Sequence, residues 1–128
     1  MGLFAEKSKA KVIDTLFSKA NLSVAMGSVI IISTYPDKKS VLKIANVTIN
    51  KKLAACVNFT KINSIYTWQN KLEHTTEFLV FFKTTDKKKK SIKNTIKKSH
   101  PYKVPEIAEL EVRSLNKPYL DWLVNSTN

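Results

Sequence analysis

Two long strand patterns joined by a short turn constrain the fold of this chain more than any other feature. Residues 53–68 have alternating apolar side chains, and the return segment 77–84 contains five consecutive apolar residues, 78–82. We place the hairpin turn at residues 69–71, because the asparagine there tolerates turn conformations. Arms of about fifteen residues extend roughly 45 to 50 Å, which exceeds the radius of about 13 Å expected for a compact domain of about 100 residues. The outer end of the hairpin must therefore protrude or lie against another molecule.

The apolar positions of the first arm change phase half-way along it. They are odd-numbered up to Phe59, whereas Ile62 and Trp68 are even-numbered. Because side chains of a strand alternate with a period of two, this change predicts a bulge or break near residues 60–61.

The remaining patterns complete the order β-α-β-β-α-β-α. Residues 29–32 form an apolar run typical of a buried strand, and residues 107–112 alternate as a half-exposed strand does. Asp37, Asp86 and Asn116 precede helical patterns as N-caps. This order predicts an α+β fold of the ferredoxin-like, split βαβ type, a sandwich in which an antiparallel sheet carries helices on one face. A C-terminal helix follows it.

Residues 1–26 stand apart from this domain, which we assign to residues 27–128. Apolar residues at helical spacing alternate there with lysines, which favours a short amphipathic helix that packs on the domain or touches a membrane surface. In the other interpretation Met26 is the natural start, and the preceding residues are poorly ordered. The segment is highly charged and lacks the uninterrupted apolar stretch that a signal peptide or a membrane span needs. We therefore expect neither.

Composition excludes several classes of function. The net charge is +12, and Arg113 is the only arginine, so the planar fork that reads bases and phosphates is nearly absent. Nucleic acid is therefore not the expected partner. Two glycines and no glycine-rich phosphate loop predict no organic cofactor. One cysteine, Cys56, excludes an internal disulfide, and we expect a cytoplasmic protein.

The segment His100-Pro101-Tyr102-Lys103-Val104-Pro105-Glu106 brings an imidazole, a phenol and a carboxylate together in sequence. Each proline disfavours the helical conformation for the residue before it. We therefore expect a helix to end near His100 and a strand to begin near Glu106, with a stiff connector of polar groups between them. Polar groups held on such a connector are typical of a functional site.

With this segment and the motifs before it, the chain resembles the CutA family of small proteins named for divalent-cation tolerance. The resemblance covers residues 28 to 124 and is carried, in order, by Leu53-Ala54-Ala55-Cys56-Val57, Ser64-Ile65-Tyr66-Thr67-Trp68, Lys83-Thr84-Thr85 and the His100 to Glu106 segment. It implies a ferredoxin-like homotrimer that takes part in the response to divalent metal ions, with copper the first candidate. One departure is the turn Trp68-Gln69-Asn70-Lys71, where the family usually has Trp-Glu-Gly-Lys.

The resemblance also implies copper binding through cysteines, one of them at the end of the first strand. Ser33 occupies that position here, and only Cys56 is retained. We predict Cys56 and His100 as ligands for copper or another divalent cation. Two other interpretations stay open: Cys56 as a small buried apolar side chain, and His100 as a helix C-terminal residue that bonds the last carbonyls.

Exposed apolar side chains at the end of the hairpin predict assembly, because they are costly to leave in water. Trimers place clefts between subunits, and we expect the cleft to contain Tyr66, Trp68, Lys83, Tyr102 and Glu106. Neither a Ser-His-Asp arrangement nor paired catalytic carboxylates can be assembled, so we expect a binding protein and not an enzyme. The alternative function is a PII-like signalling module that binds small anionic ligands in such clefts.

Overall fold

The computed structural model describes residues 27–128. Its elements are β1 Ser28–Tyr35, α1 Lys38–Asn50, β2 Cys56–Trp68, β3 Lys71–Thr85, α2 Lys89–Ser99, β4 Ala108–Glu111 and α3 Lys117–Ser126. The strands form one antiparallel sheet in the order β2-β3-β1-β4. The predicted α+β, split βαβ architecture is confirmed, whereas the helix predicted in residues 1–26 lies outside the described residues.

Helices α1 and α2 pack on one face of the sheet and build the core. The core residues are apolar side chains from β1, β3 and these two helices: Val29, Ile31, Tyr35, Val41, Ile44, Val80, Phe82, Ile92 and Ile96. Helix α3 lies on the opposite face, where the Nζ of Lys83 is 5.9 Å from the ring centroid of Tyr119. Lys83 follows buried Phe82 on β3, and successive strand side chains point to opposite faces. The sheet is therefore covered on both faces, where a plan with helices on one face was expected.

The helix starts differ in how they are capped. Asp37 caps α1 as predicted, since its Oδ1 accepts a hydrogen bond from the backbone N–H of Ser40 at 2.7 Å. The prediction for Asp86 is wrong: α2 begins two residues later than a cap there requires, and the Asp86 carboxylate instead pairs with the Nζ of Lys89 at 2.7 Å. Asn116 occupies the N-cap position of α3, but its side chain makes no capping bond.

Strands β2 and β3 form one uninterrupted ribbon, and the predicted bulge near residues 60–61 is wrong. The register runs without a break from Cys56 opposite Lys83 to Trp68 opposite Lys71. The phase change instead moves the apolar side chains to the other face of the ribbon. This phase change lies at the end of β1: Tyr35, the last residue of β1, pairs with Phe78, and Phe78 pairs with residue 61 of β2. Beyond that point no helix of residues 27–128 imposes a buried face.

The outer part of the ribbon extends beyond β1 by seven residue pairs, from Ile62 opposite Glu77 to the turn. The turn contains Gln69 and Asn70, both with positive φ, as in a two-residue type I′ hairpin. Ile65 is 66 % exposed and Leu72 is 67 % exposed. A protruding ribbon with apolar side chains in water is thus present, as the length of the two strand patterns predicted.

Candidate ligand-binding site

The connector between α2 and β4 lies along the outer edge of β1. Strand β4 pairs only with residues 29–32 of β1, so residues 33–35 have no strand partner on that side within the described part of the chain. Helix α2 ends at Ser99, and His100 adopts an extended conformation before Pro101. The connector therefore begins where the proline pattern predicted, and it brings His100, Tyr102 and Glu106 to this edge.

His100 is fixed by hydrogen bonds at both ring nitrogens. The Oγ of Ser33 donates its hydrogen to the backbone carbonyl of Glu106 at 2.7 Å, because a carbonyl can only accept. The Nε2 of His100, 3.0 Å from the same Oγ, must therefore be the donor in that contact. The Nδ1 accepts from the backbone N–H of Tyr102 at 3.0 Å. These bonds together assign the neutral imidazole with its hydrogen on Nε2.

The surroundings of His100 also favour its neutral form. Its ring stacks on Tyr35, with a centroid separation of 4.2 Å. Burial lowers the pKa of His100, while a backbone hydrogen bond with Thr34 acts in the opposite direction. Ser33 and His100 lie close enough for a nucleophile and its base. However, the Ser33 hydroxyl is fully buried and its hydrogen is committed to a carbonyl, so this pair supports structure and not nucleophilic chemistry.

The second polar contact joins the connector to the ribbon. The phenol of Tyr102 donates to the Oε1 of Glu77 at 2.8 Å, and its ring centroid lies 5.2 Å from that of His100. Burial raises the pKa of Tyr102, and the hydrogen bond to Glu77 adds to that increase. Glu77 is only 8 % exposed. Within residues 27–128 its carboxylate has no salt-bridge partner.

Glu77 and Tyr102 line a pocket of about 360 Å³ between the outer ribbon and the connector. Its aromatic walls are Tyr66, Trp68 and Tyr102, and its carboxylates are Glu77 and Glu106. The remaining lining residues are Thr34, Lys103 and Val104. The volume lies within the range of small-molecule sites, which combine an apolar lining with a few placed polar groups.

The pocket unites four of the predicted cleft residues: Tyr66, Trp68, Tyr102 and Glu106. The fifth, Lys83, lies elsewhere, above the ring of Tyr119 on the face covered by α3. Sequence reasoning missed Glu77, although a carboxylate beside the apolar run of β3 is the signal that could have found it. It also missed Thr34, which no pattern distinguishes from the other residues at the end of β1.

The predicted metal ligands do not come together. Cys56 faces Lys83 across the ribbon and therefore lies on the α3 face, where its Sγ is 3.7 Å from the Oδ1 of Asn58. His100 bonds Ser33 and stacks on Tyr35, which lie on the opposite face. No group of three or more His, Cys, Asp or Glu side chains in residues 27–128 could hold a metal ion. With both nitrogens of His100 committed, the residues present do not fit a copper ion.

Comparison with known proteins agrees with the fold and the motifs. The family described as CutA1 divalent ion tolerance protein matches residues 29–126. The divalent-cation tolerance protein CutA of Thermococcus kodakarensis is 35 % identical over 98 residues, which cover 77 % of this chain and 94 % of that protein. The rice protein CutA 1, chloroplastic, is 36 % identical over 106 residues, or 82 % of this chain and 60 % of that protein.

Solved structures show the same architecture. The periplasmic divalent cation tolerance protein CutA from Archaeoglobus fulgidus superposes with a TM-score of 0.77 at 33 % identity, covering 79 % of this chain and 99 % of that one. No helix within residues 27–128 has the length and apolar character needed to cross a membrane. The family match over nearly the whole described domain, supported by this fold and these relatives, shows that the chain belongs to the CutA family of divalent-cation tolerance proteins.

Proposed function

We propose that this chain is a ligand-binding module of divalent-cation tolerance that acts as a homotrimer with its ligand sites at the seams between copies. The observation that carries the proposal is the pocket between the outer ribbon and the connector. Aromatic and carboxylate side chains from three separate segments converge there, on Tyr66, Glu77 and Tyr102. A buried carboxylate is costly in packing alone, whereas a few placed polar groups in an apolar lining are typical of ligand sites.

The trimer is supported by the outer ribbon. Ile65 and Leu72 project from one face of the ribbon and Tyr66 and Trp68 from the other, so a single copy leaves apolar surface in water on both sides. Docking of the Ile65 and Leu72 face on a neighbouring copy would bury that face, and such head-to-tail contacts close into a ring when the rotation fits. Sedimentation of the full chain at micromolar concentration tests this. A monomeric mass would refute it.

Binding at the pocket is tested by thermal shift, because a ligand that binds only the folded protein raises the unfolding midpoint. We expect at least one class in a panel of organic cations, carboxylic acids and nucleotides to raise it. The shift should disappear in Trp68→Ala and persist in Leu42→Ala, an exposed apolar residue of α1. Equal shifts in both variants would place the ligand elsewhere and contradict the proposal.

Copper binding by Cys56 and His100 stays a prediction, and the geometry weighs against it. A soft-metal site would have to displace the hydrogen bonds of both His100 nitrogens and join residues on opposite faces of the sheet. Titration with Cu(I) and Cu(II), beside His100→Ala and Cys56→Ser, decides the matter. Stoichiometric binding lost in both variants would support copper as the bound cation, and weak binding unaffected by either would dismiss it.

The PII-like alternative uses the same pocket but requires an anionic ligand. Lys103 in the lining favours an anionic ligand. The two carboxylates in the same lining, and the position of Lys83 outside the pocket, disfavour one. Either ligand class makes the chain a binding protein and not an enzyme. This is our proposal for its activity, supported by the committed proton of Ser33 and the hydrogen-bonded nitrogens of His100.

A cytoplasmic location also stays a prediction. It depends on the single cysteine, and the names of two similar proteins give other compartments, chloroplastic in rice and periplasmic in Archaeoglobus fulgidus. Fractionation of the source cells with an antibody against the full chain is the direct test. Recovery outside the cytosolic fraction would contradict the prediction.

A further inference from the structure

We infer that the pocket between the outer ribbon and the connector takes an organic cation, a ligand that carries an ammonium group. The inference rests on the proposed function, since it names the class of ligand for that same site. Three properties of the lining carry it, all stated for residues 27–128: a buried carboxylate without a cationic partner, aromatic faces beside it, and too few ligand atoms for a metal ion.

The buried carboxylate belongs to Glu77. More than nine-tenths of this residue is buried, it lines the pocket, and the one hydrogen bond to its carboxylate among the described residues comes from the Tyr102 phenol. A buried charge is costly unless an opposite charge or several hydrogen bonds compensate it. No Lys or Arg side chain of residues 27–128 pairs with it. A cationic ligand would supply the missing charge.

The charges around the pocket agree with this sign. Glu106 adds a second carboxylate to the lining, and Lys103 is the one basic residue that the described part of the chain contributes to it. Both of these are exposed, whereas Glu77 is buried. Electrostatic interactions strengthen as water is excluded, so Glu77 dominates the interior and the lining has an excess of one negative charge. An anionic ligand would have to enter against it.

The aromatic walls are suited to the same ligand. Tyr66 and Trp68 are two residues apart on one strand and therefore project from the same face of the ribbon, and Tyr102 closes the pocket from the connector. Trp68 is 47 % exposed, so its face is accessible in a single chain. The faces of Trp and Tyr rings attract cations, and such aromatic walls recognise quaternary ammonium groups.

A metal ion is a poorer occupant of this pocket. Hard cations such as Ca²⁺ and Mg²⁺ take six or more oxygen ligands, and the described residues contain no group of three His, Cys, Asp or Glu side chains arranged to hold one. Half of the described lining residues are aromatic or Val104, and these offer apolar surface and few donor atoms. The lining thus matches a cation with an apolar outer shell.

The test compares choline with its neutral isostere, in which a tert-butyl group replaces the trimethylammonium group. The two have nearly the same shape and differ in charge. Titration calorimetry on the full chain should detect choline and not the neutral alcohol. Glu77→Gln keeps an acceptor for the Tyr102 phenol and should weaken choline binding at least about tenfold. The matched control Glu111→Gln, an exposed carboxylate of β4, should leave it unchanged.

A second pair of variants tests the aromatic wall without touching a buried residue. Trp68→Ala should abolish detectable choline binding, and Trp68→Phe should restore part of it, because Phe also attracts cations through its face. Residue 68 lies on the exposed part of the ribbon, so both variants should fold. The unfolding midpoint of each variant checks this. Equal binding to wild type and Trp68→Ala would overturn the inference.

The failures are distinguishable. If the neutral isostere binds as tightly as choline, or if only carboxylic acids and nucleotides bind in a Trp68-dependent manner, the pocket is a ligand site of another class. The cation inference then falls and the proposed function stands. If no cation, anion or neutral probe binds at millimolar concentration, both fall.

Discussion

The hydrogen bonds around His100 determine what the most conspicuous segment of the sequence does. A histidine after a helix, beside a phenol and a carboxylate, suggests metal ligation or acid–base chemistry. In the structure Ser33 and the backbone of Tyr102 use both of its nitrogens. Its role is to hold the connector against β1, and through that connector it positions Tyr102 at the pocket.

The first prediction concerns pH. Burial lowers the pKa of His100 below its ordinary value of 6.5 in the folded protein, so between these two pKa values the unfolded chain binds more protons. Stability contributed by the neutral ring is therefore fully present above about pH 6.5 and is lost as the pH falls toward the folded pKa. We expect a lower urea midpoint at about pH 5 than at about pH 7.5.

Variants of the chain's two histidines separate this effect from general acid sensitivity. His100→Gln, which cannot titrate in this range, should reduce the difference between the two midpoints. His74→Gln, at an exposed position of the ribbon, should retain the full difference. A pH dependence that is the same in all three proteins would contradict the assignment of a half-buried, neutral His100.

The second prediction concerns the bond between Tyr102 and Glu77. Tyr102→Phe removes the phenol that donates to the Oε1 of Glu77 and leaves a buried carboxylate unsatisfied. We expect the free energy of unfolding to fall by about 1 to 3 kcal/mol, measured by urea denaturation at fixed protein concentration. Tyr66→Phe makes the same deletion on an exposed ring and should change stability far less.

At the scale of the elements, the hairpin turn carries backbone strain. Gln69 has a φ of 51° and Asn70 a φ of 65°, and the left-handed region costs ordinary residues about 1 kcal/mol or more. Gln69→Asn combined with Asn70→Gly creates the pair that a type I′ turn prefers. This is our third prediction: the free energy of unfolding should rise by about 1 kcal/mol.

The control for the turn is the same glycine placed in a helix. Asn94→Gly lies in the interior of α2, where glycine is less favourable than asparagine, so it should lower the free energy of unfolding. A loss of stability in the turn variant as well would show that the positive φ values do not carry strain. Equilibrium unfolding in urea measures both.

The elements also show where local patterns stop being sufficient. The turn and both strands of the ribbon follow from alternation and an asparagine, and all three are present. The bulge expected near residues 60–61 is absent, because the change of apolar phase coincides with the end of the neighbouring strand β1. The sequence shows which side chains of a strand are apolar. Which face of the sheet must be apolar at each position depends on the element that covers it.

At the scale of the whole molecule, the fourth prediction tests assembly. Ile65→Asp places a carboxylate on the exposed outer ribbon, where a single chain tolerates it. An unpaired charge buried at an interface costs several kcal/mol, so the protein concentration at which copies dissociate should rise at least about tenfold. Leu42→Asp, on exposed α1, is the control and should leave the sedimentation profile unchanged. Identical profiles for both variants would exclude the outer ribbon from the interface.

The sequence by itself determined the order of the elements and the turn, because these depend on local periodicity and proline geometry. Four residues predicted for a cleft line the pocket, and their part in binding stays a prediction. The tertiary structure decided the rest. It placed α3 on the second face of the sheet, which separates Cys56 and Lys83 from His100. It also buried Glu77 beside Tyr102. The physical reason is that the direction of a strand side chain alternates locally, whereas the element that covers each face is set by contacts between residues distant in sequence.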